Sequence, residues 1–313
     1  MGETESLRHW MSGQIQAPAF TPVAPLVEKL RELHGAGVAA VLMYGSCLRS
    51  GDPFDGLVDL YVLVDDYTSV YERRWQAWAN WLLPPNVFYL EIEVEGRPLR
   101  VKYAVLSRQD FAAGVGQWFH SYLWGRFAQP CRLLYGRDPD TADWISERLV
   151  EAARTFIRRT VPACSACLTL PELWQKGLRL SYRAELRAEN AAARAQQLFD
   201  YAADFYQTLT PPLLRELPWT TQCENGRYCF AIPNATRMIA KAGWALRFLQ
   251  GKGLSLLRLI KSLFTFQGGV DYIVWKLERH TGRKIDVPPR ARRRPLVYGW
   301  GVLWRLYREG VFR

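Results

Sequence analysis

Residues 41–67 read VLMYGSCLRSGDPFDGLVDLYVLVDDY, and this stretch decides the fold. An apolar run, VAAVLMY, has the length and β-branched content of a buried strand and stops at Gly45-Ser46. The segment GSCLRSGDPFDG is rich in Gly, Asp and Pro and reads as a loop. A second apolar run, LVDLYVLVDD, reads as the next strand and carries Asp59 in its interior. Two residues from Asp59 on either side stand Leu57 and Tyr61, so the strand offers one carboxylate where a paired metal site has two.

Working outward, PVAPLVEKLRELHG before the first strand reads as a helix with Val27, Leu30 and Leu33 on one face, ended by Gly35 and Gly37. After the second strand, TSVYERRWQAWANWLL reads as an amphipathic helix stopped by Pro84-Pro85. NVFYLEIEVEGRPLRVKYAVLS reads as two strands turning near Glu95-Gly96. That order predicts an α/β domain with a mixed sheet over 23–136, after a flexible arm at 1–22.

The remainder is mostly helical in pattern, and 137–286 is expected to form a helical domain. Thr210–Pro212 and Pro218–Pro233 are read as loops, and Ala235–His280 as a long helical stretch. Residues 287–313 form a basic, aromatic C-terminal arm.

The chain has 313 residues, of which 49% are hydrophobic, enough for a substantial core. Its net charge of +11 favours phosphate-rich partners, whether nucleotide, nucleic acid or anionic lipid. No window approaches the roughly 20 apolar residues of a membrane-spanning helix, and the start has neither a signal-peptide core nor transit-peptide composition. It does read Met-Gly-x-x-x-Ser, the form of a myristoylation signal at Gly2, which matters only in a host with the modifying enzyme. Without a secretory signal the six cysteines are expected to be structural thiols rather than disulfides; VPACSACLTL reads as a helix packed through small residues, although Cys164 and Cys167 have metal-ligand spacing.

The chemistry suggested by the opening stretch is nucleotidyl transfer. Gly45 lets the backbone approach a phosphate closely, and Ser46 offers a hydroxyl and an N–H. A carboxylate such as Asp59 inside an apolar strand is costly unless it binds metal or hydrogen bonds, and Mg²⁺ accepts one or two carboxylates plus substrate phosphates. Candidate second ligands are Asp55, Asp65, Asp66, Glu91 and Glu93. Lys102, inside RVKYAVLS, wants an anion, which a triphosphate or a structural aspartate would supply. Each feature also has a plain structural reading: glycine-serine loops are common, and a strand aspartate can be held by neighbours.

Four blocks in order resemble the mitochondrial-type phosphatidate cytidylyltransferases, the translocator-maintenance family of CDP-diacylglycerol synthases. They are YGSCLRSG, LVDLYVLVDD, GRPLRVKYAVLSRQDF with QWFHSYLWGRFAQPCRLL, and LRLSYRAELRAE, spanning about residues 40–190. The family strand likewise lacks a second aspartate two residues on. The resemblance implies a nucleotidyltransferase-fold domain, Mg²⁺ dependence, CTP as donor and phosphatidic acid as acceptor. By position, Tyr44, Gly45 and Ser46 would hold the triphosphate, Asp59 would bind Mg²⁺ and Lys102 would meet phosphate charge, while Asp55, on the loop, stays one of the candidate second ligands. Trp118, Tyr122 and Arg126 would shape the nucleotide or lipid-phosphate pocket, with Tyr182, Glu185 and Arg187 entering from the helical domain. Trp118 and Tyr122 read equally as core residues, and Arg126 and Arg187 as ion-pair partners. This sequence departs from the family at Cys47, at Phe119-His120-Ser121 and at Ala184-Glu185, and the match fades after about residue 205.

A phosphatidate acceptor implies a peripheral enzyme on the inner face of a membrane. KGLSLLRLIKSLF (252–264) puts Leu256, Leu259, Ile260 and Leu263 on one face, expected to pack into the helical domain, with Lys252, Arg258 and Lys261 mostly away from it. In the arm, Arg292, Arg293 and Arg294 precede Trp300 and Trp304, a pattern suited to an anionic membrane surface. Nucleic acid is not expected, since no nucleic-acid-binding signature accompanies the arginines. Two competing readings are a nucleotidyltransferase with a soluble acceptor and a non-catalytic basic scaffold on a degenerate fold.

Overall fold

The computed structural model describes residues 3–18, 23–54, 56–186, 190–219 and 221–265, with 274, 278, 285–288 and 290. Asp55, Arg187, Arg292, Arg293, Arg294, Trp300 and Trp304 lie outside the described residues.

Five strands form the main sheet: β1 (Val38–Tyr44), β2 (Val58–Val64), β3 (Asn86–Val94), β4 (Arg97–Ser107) and β5 (Arg132–Gly136). Their order is β3-β4-β2-β1-β5. β2 and β4 run parallel and the other neighbours antiparallel, so the sheet is mixed and the α/β reading holds. One face carries Val41, Met43, Leu60, Val62, Val101 and Val105 and is covered by Leu26 and Leu30 of α2 (Ala24–His34). The short helix α3 (Ser46–Ser50) sits between β1 and β2, and α4 (Arg74–Leu82) precedes β3.

The other face carries Ala40, Leu42, Leu63, Ala104 and Leu106. It packs against Phe111 of α5 (Arg108–Gly116) and Phe127 of α6 (Trp124–Phe127). The same core then runs without a break into α7 (Pro139–Thr160), α8 (Leu170–Arg183), α9 (Ala191–Tyr201) and α10 (Ala203–Arg215). The boundary drawn at 136/137 therefore falls inside one hydrophobic core. α7 starts where Asp138 accepts a hydrogen bond from the Thr141 N–H and Pro139 occupies the first turn. Thr169 and Glu172 form a reciprocal capping box for α8.

Several expectations change. Residues Glu3–Gln16 are a helix, α1, not a loose arm: Leu7, Met11 and Ile15, spaced four apart, are buried in the second core. In α2 the buried stripe is Leu26, Val27, Leu30 and His34, and Leu33 faces out. VPACSACLTL is a 3₁₀ turn (Val161–Ala163) followed by the strand β6 (Cys167–Thr169). The Pro218–Pro233 stretch holds a hairpin, β7 (Thr221–Glu224) and β8 (Arg227–Phe230), whose Asn225-Gly226 turn has both φ angles positive (50° and 73°). β8 also pairs with β6, and Cys167 and Cys229, opposite one another, are joined as a disulfide. Pro211 and Pro212 lie within α10, whose last turns are held by buried Leu209, Leu213 and Leu214 and by the Trp174 indole donating to Thr210 Oγ1. The last described helix is α11 (Asn234–Thr265). No helix among the described residues is long and apolar enough to cross a membrane.

Candidate functional site

Strand register sets a polar row across four strands. Tyr44 on β1 stands beside Asp59 on β2, Asp59 beside Lys102 on β4, and Lys102 beside Tyr89 on β3. Side chains two residues apart share a face. The row therefore continues the apolar rows Leu42–Tyr61–Ala104 and Ala40–Leu63–Leu106 on the face that meets the helices. The site is where that apolar face gives way to polar groups.

Within the row, Lys102 Nζ lies 3.3 Å from Asp59 Oδ1, their side chains 35% and 20% exposed. The other carboxylate oxygen faces the chain at Gly45. A Cβ built on Gly45 would sit 2.6 Å from Asp59 Oδ2, and the residue has φ 94° and ψ −156°, a region essentially reserved for glycine. The backbone thus crosses directly over the carboxylate and delivers exposed Ser46 to the rim. Cys47, at a position where the resembling family has glycine, is buried, and its thiol donates to the Leu57 carbonyl at 3.1 Å. That bond ties α3 to the approach to β2. The hydroxyl of Tyr201, in α9, donates to the Leu48 carbonyl at 3.1 Å and holds α3 from the helical side.

A second cluster adjoins the first. Arg126, in α6, donates to the Tyr61 hydroxyl at 2.6 Å and to Glu185 Oε2 at 3.2 Å. Its side chain is 11% exposed. Burial opposes the charge, but Tyr61 and Glu185 outweigh it and hold the guanidinium protonated. Two guanidiniums lie over the Tyr122 ring, Arg126 Cζ at 4.4 Å and Arg258 Cζ, from α11, at 4.1 Å from its centroid. His120 follows, its ring 6.4 Å from Tyr122 and 4.9 Å from Trp118. Burial, then Arg258, pushes the His120 imidazole down to about 3. It is therefore neutral at ordinary pH.

The structure brings Tyr44, Gly45, Ser46, Asp59 and Lys102 together, and Tyr122, Arg126 and Glu185 around Tyr61. Trp118 stands further out: its carbonyl accepts from the Trp124 indole and from Arg159, and its ring packs on the core. Tyr182 is partly buried in the second core on α8. Three residues missed in the sequence belong here. Tyr61 shares a face with Asp59 two residues earlier, a spacing legible in the strand. Half-buried Arg49, whose electrostatic neighbours include Arg194, Tyr182 and Asp59, follows Ser46 by one helical turn. Arg258 comes from a distant helix and left no local signal.

Other candidate metal ligands stand apart. Asp65 and Asp66 are at the far end of β2, roughly 20 Å from Asp59 at 3.3 Å per residue. Asp65 is paired with Arg137 at 2.5 Å, and Asp66 accepts from the Thr68 N–H. Glu91 shares Asp59's sheet face but lies two strands away, paired with Arg100 at 2.9 Å. Glu93 is further along β3, opposite Pro98. Among the described residues, no group of three His, Cys, Asp or Glu is placed to hold a metal ion. Of the candidate ligands only Asp59 stands beside Gly45, so a cation there would be held by that one carboxylate and by oxygens of a bound phosphate.

The sequence matches no family model and no curated protein. Among solved structures the chain is similar to a nucleotidyltransferase-like protein from Exiguobacterium sibiricum, at 11% identity over 92% of this chain and 91% of that one, with a TM-score of 0.26. A likeness that remote assigns no activity.

Proposed function

We propose that this chain is a nucleotidyltransferase that moves CMP from CTP to the phosphate of phosphatidic acid, giving CDP-diacylglycerol and pyrophosphate at a membrane surface. The observation that carries the reading is the crossing of the Gly45-Ser46 backbone over Asp59, with Lys102 alongside. A phosphate chain laid against a bare glycine backbone would meet the serine N–H and hydroxyl on one side and the lysine on the other. The four ordered blocks supply the choice of CTP and phosphatidate.

In this mechanism an oxygen of the acceptor phosphate attacks the α-phosphorus, the bond from that phosphorus to the bridging oxygen breaks, and pyrophosphate leaves with the electron pair. The acceptor is already anionic, so no side chain need remove a proton, which agrees with a neutral His120. Lys102 exchanges Asp59 for triphosphate oxygens and offsets charge on the leaving group. Asp59, released from Lys102, would hold Mg²⁺, which when bound neutralises phosphate charge. Tyr122 and Arg126 would line the acceptor side; Arg126 stays on Glu185 and Tyr61 and holds that wall in place. The basic arm at 287–313 would meet anionic lipid.

The test is incubation of the protein with each radiolabelled nucleoside triphosphate, Mg²⁺ and vesicles containing phosphatidic acid, beside Asp59→Asn. Label should enter lipid from CTP, and Asp59→Asn should lower the rate about 10³-fold. Label confined to a water-soluble product would replace the acceptor. No Mg²⁺-dependent nucleotide binding by the wild type would end the transferase reading.

A further inference from the structure

α11 buries Trp244 in the second core, with Phe248 packed beside it, yet presents most of its aliphatic residues to solvent. Four of its six cations turn inward onto backbone carbonyls. Arg237 donates to the Cys164 carbonyl at 2.6 Å, Arg247 to Phe119 at 2.8 Å and Arg258 to Pro84 at 2.9 Å. Lys261 donates to Leu83 at 2.5 Å and Pro85 at 2.9 Å. Its aliphatic residues turn out: Leu246, Leu249, Leu256, Leu257 and Ile260 are all exposed, Leu249 by 75%. From Met238 to Ile260 this face runs roughly 33 Å at 1.5 Å per residue. A helix lying on a protein core buries the opposite set.

The joint made by Arg258 and Lys261 fixes the end of α11 against the end of α4. There, Trp78, Trp81 and Leu82 are exposed by 69%, 70% and 73%. The two indoles meet edge to face, centroids 6.0 Å apart, with no core above them. Exposed indoles beside exposed leucines are characteristic of a membrane–water boundary.

Charge selects the occupant. From 234 to 265 there is no acidic residue, and the outward cations are Lys241 and Lys252. A second copy related by a two-fold axis would set this cation-only face against itself. The chain's own 291–313 segment has six arginines and one glutamate, so it repels rather than complements the face. Anionic lipid matches both the apolar surface and the charge.

We infer that the outward face of α11, together with Trp78, Trp81 and Leu82 of α4, is the surface on which the protein docks to an anionic bilayer. This deepens the reading above, because the acceptor proposed there resides in a bilayer. It is a different stretch of the chain from the C-terminal arm, and here apolar side chains insert while the basic groups at the joint hold the two helices together.

The test uses the full chain with no nucleotide and no phosphatidic acid, so that its failure is separate from failure of the transferase reading. Flotation is measured with vesicles of phosphatidylcholine alone and of phosphatidylcholine with phosphatidylglycerol. The wild type should float with the anionic vesicles. Leu249→Glu with Leu256→Glu, and separately Trp78→Ser with Trp81→Ser, should each weaken binding about tenfold or more. Neither pair should change the melting temperature, because all four side chains are exposed. Lys241→Gln and Lys252→Gln should each cost about fivefold on anionic vesicles and little on neutral ones. Arg292→Gln with Arg293→Gln and Arg294→Gln should leave binding that still depends on Leu249 and Leu256. The inference is overturned if the wild type does not float, or if both apolar variants bind as well as it does. It is also overturned if light scattering shows a lipid-free dimer that Leu249→Glu dissociates.

Discussion

Replacing Gly45 by alanine tests whether the site depends on the closeness of loop and carboxylate. Two costs add. The backbone at φ 94° and ψ −156° is one that residues with a Cβ avoid, at about 1–3 kcal/mol. The new methyl would also start 2.6 Å from Asp59 Oδ2 and 3.1 Å from Asp59 Cβ, too near for either atom to remain. The carboxylate must rotate away, and the movement strains its 3.3 Å pairing with Lys102, a half-exposed pair whose loss adds no more than about 1 kcal/mol. Gly45→Ala should therefore destabilise by about 2–4 kcal/mol. Gly96→Ala is the control: its φ is 70°, but nothing lies within 4 Å of the added carbon, so it should cost about 1–2 kcal/mol. Chemical denaturation gives the stabilities, and nucleotide binding in Mg²⁺, measured where both variants are folded, gives the function. Gly96→Ala should bind as the wild type does and Gly45→Ala should not. If the two variants lose equal stability and bind nucleotide equally, the crossing over Asp59 has no role in the site.

Two further outcomes follow from the second cluster. The His120 imidazole is held near 3 in the folded state against 6.5 unfolded, so unfolding takes up a proton throughout that window. Stability should fall as pH drops from 6.5, with an upper limit of about 1.4 kcal/mol per unit from this group. His120→Asn should flatten that part of the slope in urea denaturation, leaving what buried His34 contributes in the same direction; an unchanged slope would mean that His120 is not buried as described. Glu185→Gln leaves the Arg126 charge buried with less to oppose it and should cost about 3 kcal/mol, whereas Arg126→Met combined with Glu185→Met should cost less than the single change. Simple additivity of the two substitutions would contradict a coupled pair.

Much of the sheet was legible because its strands are nearly continuous apolar runs, and a residue such as Asp59 or Lys102 within one has to be accounted for. That the two face each other required register: β4 lies beside β2 in parallel, although β3 and a helix intervene in sequence. Arg126 and Glu185, distant in sequence, were named through the four blocks, and the structure places them in contact. The Asn225-Gly226 hairpin carried a strong local signal that the surrounding prolines masked. Leu7, Met11 and Ile15 carried a weaker one, because an acidic, polar start hides three well-spaced apolar residues.

α11 shows a different limit. Periodicity sets Leu256, Leu259 and Ile260 apart from Arg258 and Lys261, as the structure does, but Lys252, grouped with those two cations, is exposed on the side of the leucines, and periodicity does not say which face the protein takes. The usual assignment follows from the transfer of apolar surface out of water, and it fails where the underlying surface is polar. The end of α4 is such a surface: the Leu83, Pro84 and Pro85 carbonyls all accept from α11, while the prolines end the helix. Terminal carbonyls of a helix need donors and favour cations. Arg258 and Lys261 supply both, despite a burial cost large enough to push the Lys261 amine down to about 7. Once those two residues face inward, helical geometry turns Leu256, Leu259 and Ile260 outward. The exposed apolar face is thus a consequence of how the carbonyls at the end of α4 are satisfied, and it is set by contacts more than 170 residues apart in the chain.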